Sequence, residues 1–404
     1  MLKVLLGDML FASQHYNRYK WLRVLSFSSC VETAGVVLLK HHRPTQMSSF
    51  SPLILSCYII NNTFKTDVDI MNPNWKTFLL SQQAQLENDA IITFTASLVP
   101  NDKVLCPVLH LGVLTVSGAD AASLLQGQMT CDVNEVTETN SRLGAICNPK
   151  GRVITTFLLI KKADVFLMVL PIALLDAIKK RLQMYILRSA VSIADSSEHY
   201  CLLGLSSSAL ATEAFLNTQQ QDVISIQFSA TQSRQLVIAE TERAIVFWTE
   251  QLATGYQAEN SEHWRYLDLL DGIPWLTNES SEEFIPQMLN LDQLGGISFT
   301  KGCYTGQEIV ARTHYLGKAK RALFLAECAV LKAPSPNDMI IDDSADDTQA
   351  IGRVLQAQHS GARYQSEHEL CKLLLVLPVA DEDIAHLKLK DSPQFPITIN
   401  RNWL

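Results

Sequence analysis

Apolar and polar positions change period several times along this chain, and each change marks an element. "GVLTVSG" (112–118) reads as a strand, and "ADAASLLQGQ" (119–128) as a short helix that stops near Gly127. "RLGAICNPKGRVITTFLLIKK" (142–162) has two β-rich runs around Asn148-Pro149-Lys150-Gly151. Proline second and glycine fourth suit a tight turn, so the stretch predicts a hairpin. "DVFLMVLP" supplies a third strand. In "PIALLDAIKKRLQMYILR" (171–188), Leu174, Leu175, Ile178, Leu182, Tyr185 and Ile186 share one helical stripe, with Lys179, Lys180 and Gln183 off it. Pro171 suits the first turn of that helix. "HYCLLGLS" and "RQLVIAE" predict strands, and "ERAIVFWTEQLA" and "SEHWRYLDLLDG" predict helices.

Strands and helices intermix without a regular βαβ repeat, which predicts an α+β body. After about Lys318 the pattern changes to short apolar strands, "RALFLAEC", "IGRVLQAQ" and "KLLLVLPV", between Pro-, Asp- and Ser-rich turns. These predict a small C-terminal β-barrel. The expected organisation is an N-terminal extension over 1–75, a body over 90–318 and a barrel over 319–404. The first 70 residues show no sustained periodicity and are too interrupted for a signal peptide. They read either as an upstream extension, with the functional chain starting near Met71, or as a loosely packed arm.

Composition narrows the picture. A chain of 404 residues exceeds what one core usually serves. With 47% apolar and 18% charged residues it is globular. A net charge of −8 gives no general attraction to nucleic acid, so direct nucleic-acid binding is not expected. The nine cysteines are scattered and no CxxC occurs, which leaves a zinc knuckle or a dithiol without support. Free thiols in a reducing cytosol fit, so the expected location is cytoplasmic. No metal site is expected. No apolar run is long enough to span a bilayer, so no membrane association is expected either.

The stretch "FTKGCYTGQEIVAR" (299–312) carries the candidate chemistry. "TGQE" fits a capping box, with Thr305 and Glu308 satisfying each other's backbone N–H groups, and Tyr304 with Ile309 fits a hydrophobic staple. A helix is expected to follow to about Tyr315, with Gly317 past its end. Cys303 then precedes a helix N-terminus, and Lys301 adds a nearby cation; both favour the thiolate. Gly302 and Gly306 leave room for a ligand or an unusual backbone. Two readings stand: a structural cysteine packed beside a turn, or an exposed functional thiol.

"KGCYTGQE", with "FIPQMLNLDQLGGISFTKG" (284–302) before it, resembles the signature of the YgfZ-type folate-binding proteins, relatives of the glycine-cleavage T-protein aminomethyltransferase. The resemblance extends through "LTVSGADAASLLQGQMTCDV" (114–133), "GAICNPKGRV" (144–153) and "LDLLDGIP" (267–274), and covers roughly residues 90–404. It implies an aminomethyltransferase-like folate-binding body around a central hole, a C-terminal barrel, and tetrahydrofolate or a derivative as cofactor. It also implies support for iron–sulfur enzymes, such as a tRNA methylthiotransferase, and so an indirect role in tRNA modification. A monomer is expected.

The resemblance also implies site residues. Cys303 is the reactive thiol, assisted by Lys301. Trp264, Gln287, Asn290, Tyr304, Gly306, Gln307 and Glu308 form the cofactor-binding set. For Trp264 a pterin platform competes with a core tryptophan. For Gln287 and Asn290, reading a pterin edge competes with loop capping. Gln126, Gly127, Gln128 and Asp132 are expected to turn the chain. Arg312 either meets a folate tail or lies on a solvated face. Some family members carry a second tryptophan where this chain has Leu111. The T-protein relatives carry an acidic pair where Thr155 and Thr156 stand here, and threonine does not replace a carboxylate at a cationic transition state. The leading reading is an accessory protein; the alternative is a folate-dependent one-carbon transferase or demethylase.

Overall fold

In the computed structural model the chain divides into two units, Met1–Thr66 and Asp67–Leu404. The residues described are 22–26, 33–37, 71–87, 91–95, 101–211, 213–229, 233–342, 349–359, 369–379 and 386–400. In the first unit this is a single antiparallel ladder, Leu22–Ser26 with Thr33–Val37. The rest of the expected N-terminal extension up to residue 70 lies outside the described residues.

The second unit is α+β. Its five-stranded sheet runs in the order Ser192–Asp195, Leu111–Ser117, Val165–Pro171, Val153–Lys162, Arg142–Cys147, antiparallel throughout. The run 153–160 is buried at every position, so both faces of that strand are covered. This explains why it reads as a continuous apolar run rather than as alternation. The expected hairpin forms: Gly151 donates to the Asn148 carbonyl at 2.9 Å, and Thr155 and Thr156 pair with Ile146 and Ala145.

A six-stranded sheet runs Asn217–Gln220, Val223–Gln227, Ser233–Glu240, Tyr200–Ser207, Val104–Pro107, Gln257–Ala258. Helices Thr241–Ala253 and Ser261–Leu270 follow the predicted segments. The predicted helix over 171–188 is shorter, Ile172–Gln183, and buries Leu174, Leu175, Ile178 and Leu182. Tyr185, assigned to the same stripe, lies beyond the helix end and is exposed. The chain turns away there, with Leu187 in the left-handed region at φ +43°.

The C-terminal segment forms a seven-stranded sheet whose two edge strands are Ser392–Pro396 and Thr398–Ile399. One residue separates them in sequence, so the sheet curls until its edges nearly meet, a nearly closed barrel. Leu323, Leu325, Leu355, Leu374 and Val376 from this sheet join the core of the body. Asn290 links the two: its Nδ2 donates to the Leu323 carbonyl and its Oδ1 accepts from the Leu323 N–H. Among the described residues no helix is long and apolar enough to cross a membrane.

Candidate functional site

The cysteine loop rests on two neighbours. The first is the hairpin turn. Gly306 has φ +85°, and a Cβ there would come 2.5 Å from the Asn148 carbonyl oxygen and 3.0 Å from the Gly151 Cα. Only glycine meets both the left-handed backbone and the close approach. This contact also overrides the expected capping box. The helix is Gln307–Leu316 with Gly306 at its cap and no side-chain cap bond. Thr305 instead directs its N–H to the Gly127 carbonyl at 3.2 Å, so Glu308 has no N–H to return to. Tyr304 is buried as the staple requires, while Glu308 is exposed and Gln307 half-buried.

The second neighbour is the segment 126–133. Its ends are fastened by Gln126, whose Nε2 donates to Asp132 Oδ1 and whose Oε1 accepts from the Val133 N–H, both at 2.8 Å. Lys301 does not stand beside the thiol as a free cation. It is 8% exposed, and its ammonium donates to the carbonyls of Gln126, Met129 and Cys131 at 2.8, 2.8 and 2.7 Å. An ammonium has three donors, and three carbonyls occupy them. Burial pulls this ammonium down to about 8, against the opposing pull of Cys131 and Asp132.

Cys303 itself is exposed, and it is the one exposed thiol among the seven described cysteines. Cys106, Cys131, Cys147, Cys201 and Cys371 are buried and pushed up to about 12 by desolvation; Cys328 is pushed up to about 11. A thiol without access and without thiolate is inert, so the functional reading of a cysteine is open to Cys303. A cleft of ≈ 780 Å³ lined by Leu124, Gly127, Gln128, Tyr185, Leu187 and Arg188, among others, meets the loop through Gly127, which accepts from the Thr305 N–H; Cys303 itself is not among its lining residues. Gln128 joins cleft to loop, with its Oε1 3.4 Å from Thr305 Oγ1.

The remaining sequence-derived residues divide. Trp264 is 0% exposed and presents no stacking face. Its ring packs on Gly204, where a Cβ would meet Cε3 at 2.1 Å, and the Arg234 guanidinium lies 4.0 Å from the ring centroid. Asn290 is a strut to the barrel, not a free amide. Gln287 donates from Nε2 to the Val310 carbonyl at 2.7 Å, while its buried Oε1 has no protein partner. Thr155 and Thr156 are 0% exposed, and Thr156 Oγ1 donates to the Pro274 carbonyl at 2.7 Å. Arg312 is exposed, as is His314, which stacks on Phe299 at 3.7 Å.

One group escaped the sequence reading. Arg234 is fully buried, and pairs with Asp268 and, at 2.6 Å, with Asp271. Asp268 also accepts from Trp275 Nε1 at 2.7 Å and lies 3.2 Å from His110 Nε2. Parity carried a signal: Arg234 shares a strand face with the buried Leu236 and Ile238, and Asp268 stands one turn after Trp264 on the helix.

The GCVT N-terminal domain family matches residues 76–257. The structure of the glycine cleavage system aminomethyltransferase T from Bartonella henselae superposes with a TM-score of 0.58, covering 75% of this chain and 87% of that one. At 13% identity this likeness establishes a shared fold. A tRNA-modifying protein YgfZ from Hamiltonella defensa is 33% identical over 290 residues, 69% of this chain and 83% of that protein. The protein of the same name from Colwellia psychrerythraea is 31% identical over 303 residues, 73% of this chain and 91% of its own length. Sharing nearly the whole length of that relative at this identity, the chain belongs to the YgfZ family.

Proposed function

We propose that this protein is a folate-binding accessory factor that supports the synthesis or repair of iron–sulfur enzymes. Through an enzyme such as a tRNA methylthiotransferase it would serve tRNA modification indirectly. Its ligand is tetrahydrofolate or a derivative, it acts as a cytoplasmic monomer, and Cys303 is its working thiol. The carrying observation is the contrast between the exposed Cys303 and six buried thiols. The adjoining cleft of ≈ 780 Å³ lies within the range that small-molecule sites occupy. The tRNA-modifying relatives support the process, and membership of the family supports folate.

Aminomethyl transfer is disfavoured by the buried pair Thr155 and Thr156. Their hydroxyls carry no charge, and that of Thr156 is committed to Pro274. A cationic intermediate at that position would go unstabilised. The test is complementation of a strain lacking the factor, with tRNA methylthiolation as readout. Cys303→Ser is expected to bind tetrahydrofolate like the parent yet fail to restore methylthiolation. Full restoration by Cys303→Ser would remove the thiol from the function, and absence of tetrahydrofolate binding by the parent would remove the folate.

A further inference from the structure

In the segment 126–132, a loop closed by the Gln126–Asp132 bond, the carbonyls of Gln126, Met129 and Cys131 converge as a partial ring on one point, and the cation there is supplied by the chain itself. Carbonyls turned inward repel one another unless a cation or several donors satisfy them. The Lys301 ammonium does this from a position 170 to 175 residues away in sequence. Further bonds fasten the same segment to the chain before the thiol. Ser298 donates its N–H to the Thr130 carbonyl at 2.9 Å, and Thr130 Oγ1 donates to the Gly296 carbonyl at 2.6 Å. Beyond the thiol, Thr305 bonds Gly127 and approaches Gln128. Cys303 therefore stands between two anchors, Lys301 and Thr305, that grip one ring. Gly302, on one side of it, has no heavy atom within 4 Å of where a Cβ would stand, while Tyr304 on the other side is buried, with its ring centroid 5.2 Å from the Lys301 ammonium, so the loop leans on Lys301 there as well.

We propose that Lys301 is a positioning residue: its ammonium, as the internal cation on which the Gln126, Met129 and Cys131 carbonyls converge, fixes the loop that carries the Cys303 thiol against the Gly127–Gln128 segment. The inference rests on the reading of Cys303 as the working thiol for its purpose, but not for its test. Without the ammonium, three buried carbonyls lose their donors, the ring relaxes, and the thiol loop loses its N-terminal anchor while the chain as a whole stays folded. A guanidinium does not substitute, because its planar donors diverge and do not converge on one point. A small ammonium ion entering the space vacated by the side chain does.

The test uses the full chain with Cys30 and Cys57 replaced by serine and a nitroxide attached at Cys303. Spectral mobility of the label is compared in the parent, Lys301→Ala, Lys301→Arg and Lys301→Gln. Lys301→Ala is expected to raise the mobile population about tenfold or more, the effect of losing even one charge-assisted hydrogen bond. Added methylammonium is expected to reverse the change in Lys301→Ala and not in Lys301→Arg. Lys301→Gln, with two amide donors, is expected to fall between and provides the reading if Lys301→Ala does not fold. An unchanged label in Lys301→Ala overturns the proposal. So does mobility that methylammonium leaves unaltered, or unfolding of all three variants, since the lysine is then a general structural element. Normal complementation by Cys303→Ser removes the functional reading and leaves this result untouched, so the two failures are distinguishable.

Discussion

Around Trp264 the chain turns its polar groups on one another. Arg234 lies 4.0 Å from the indole centroid, pairs with two carboxylates, and one of these also holds Trp275 and adjoins His110. Around Cys303 the flanks are fastened in the same way, by Lys301 and Thr305, but the thiol between them is left to solvent. Both regions belong to stretches that resemble a folate-binding family, and both hold a residue expected to meet a ligand. The Trp264 cluster is a buried ion-pair network in which the Arg234 guanidinium meets both carboxylates, while Arg234 Nε, His110 Nδ1 and Trp264 Nε1 are buried without a protein partner. The cysteine loop is a rigid frame around one open position. Burial against exposure, more than residue type, separates scaffold from candidate chemistry.

Breaking the buried network is expected to have the largest effect. Arg234→Met leaves Asp268 and Asp271 without their cation and is expected to cost ~3–5 kcal/mol, read as a shift of the urea midpoint. A loss below ~1 kcal/mol would show that the network is not the scaffold described here. Next in size is Gly306→Ala, which forces a side chain to φ +85° and against the Asn148 carbonyl. It is expected to cost ~1–3 kcal/mol in the same assay.

The third prediction concerns acid. Burial holds His110 below its ordinary range, so the folded state keeps it neutral. As pH falls below about 6.5 the unfolded chain takes up a proton that the folded chain does not, so stability declines, by at most ~1.4 kcal/mol per pH unit for this group. His263, also held down by burial, adds a decline of the same sign, so denaturation between pH 7 and 5 is expected to show the sum and His110→Leu to remove its own share of it. The smallest effect is expected at the open position: Cys303→Ser should change stability by no more than ~0.5 kcal/mol. A large loss there would make the cysteine part of the scaffold and erase the contrast.

Much of the frame was legible. The Asn148–Gly151 turn, the strands around it and the change to short β runs after Lys318 each follow from local chemistry, and each forms. Local chemistry fails where a distant contact intervenes. "TGQE" satisfies the capping-box pattern with Thr305 as the cap, yet with Gly306 held against the Asn148 carbonyl the cap is Gly306, one residue later. Lys301 sits two residues from Cys303, yet its ammonium is drawn to carbonyls on another segment. In sequence Trp264 suits a ring platform and a core equally, and it is the approach of Gly204 and Arg234 that buries its ring. Arg234 was missed because a charge in a strand reads as a solvent-facing position, and its carboxylate partners lie 34 and 37 residues further on.

The function proposed above requires the Cys303 thiol and the folate ligand to lie close enough for one to affect the other. Alkylation of the native chain by iodoacetamide, resolved cysteine by cysteine by mass spectrometry, tests it with and without saturating tetrahydrofolate. Cys303 is expected to react first among the described cysteines, and bound tetrahydrofolate to slow it severalfold. A Cys303 rate that stays the same with folate demonstrably bound would contradict it.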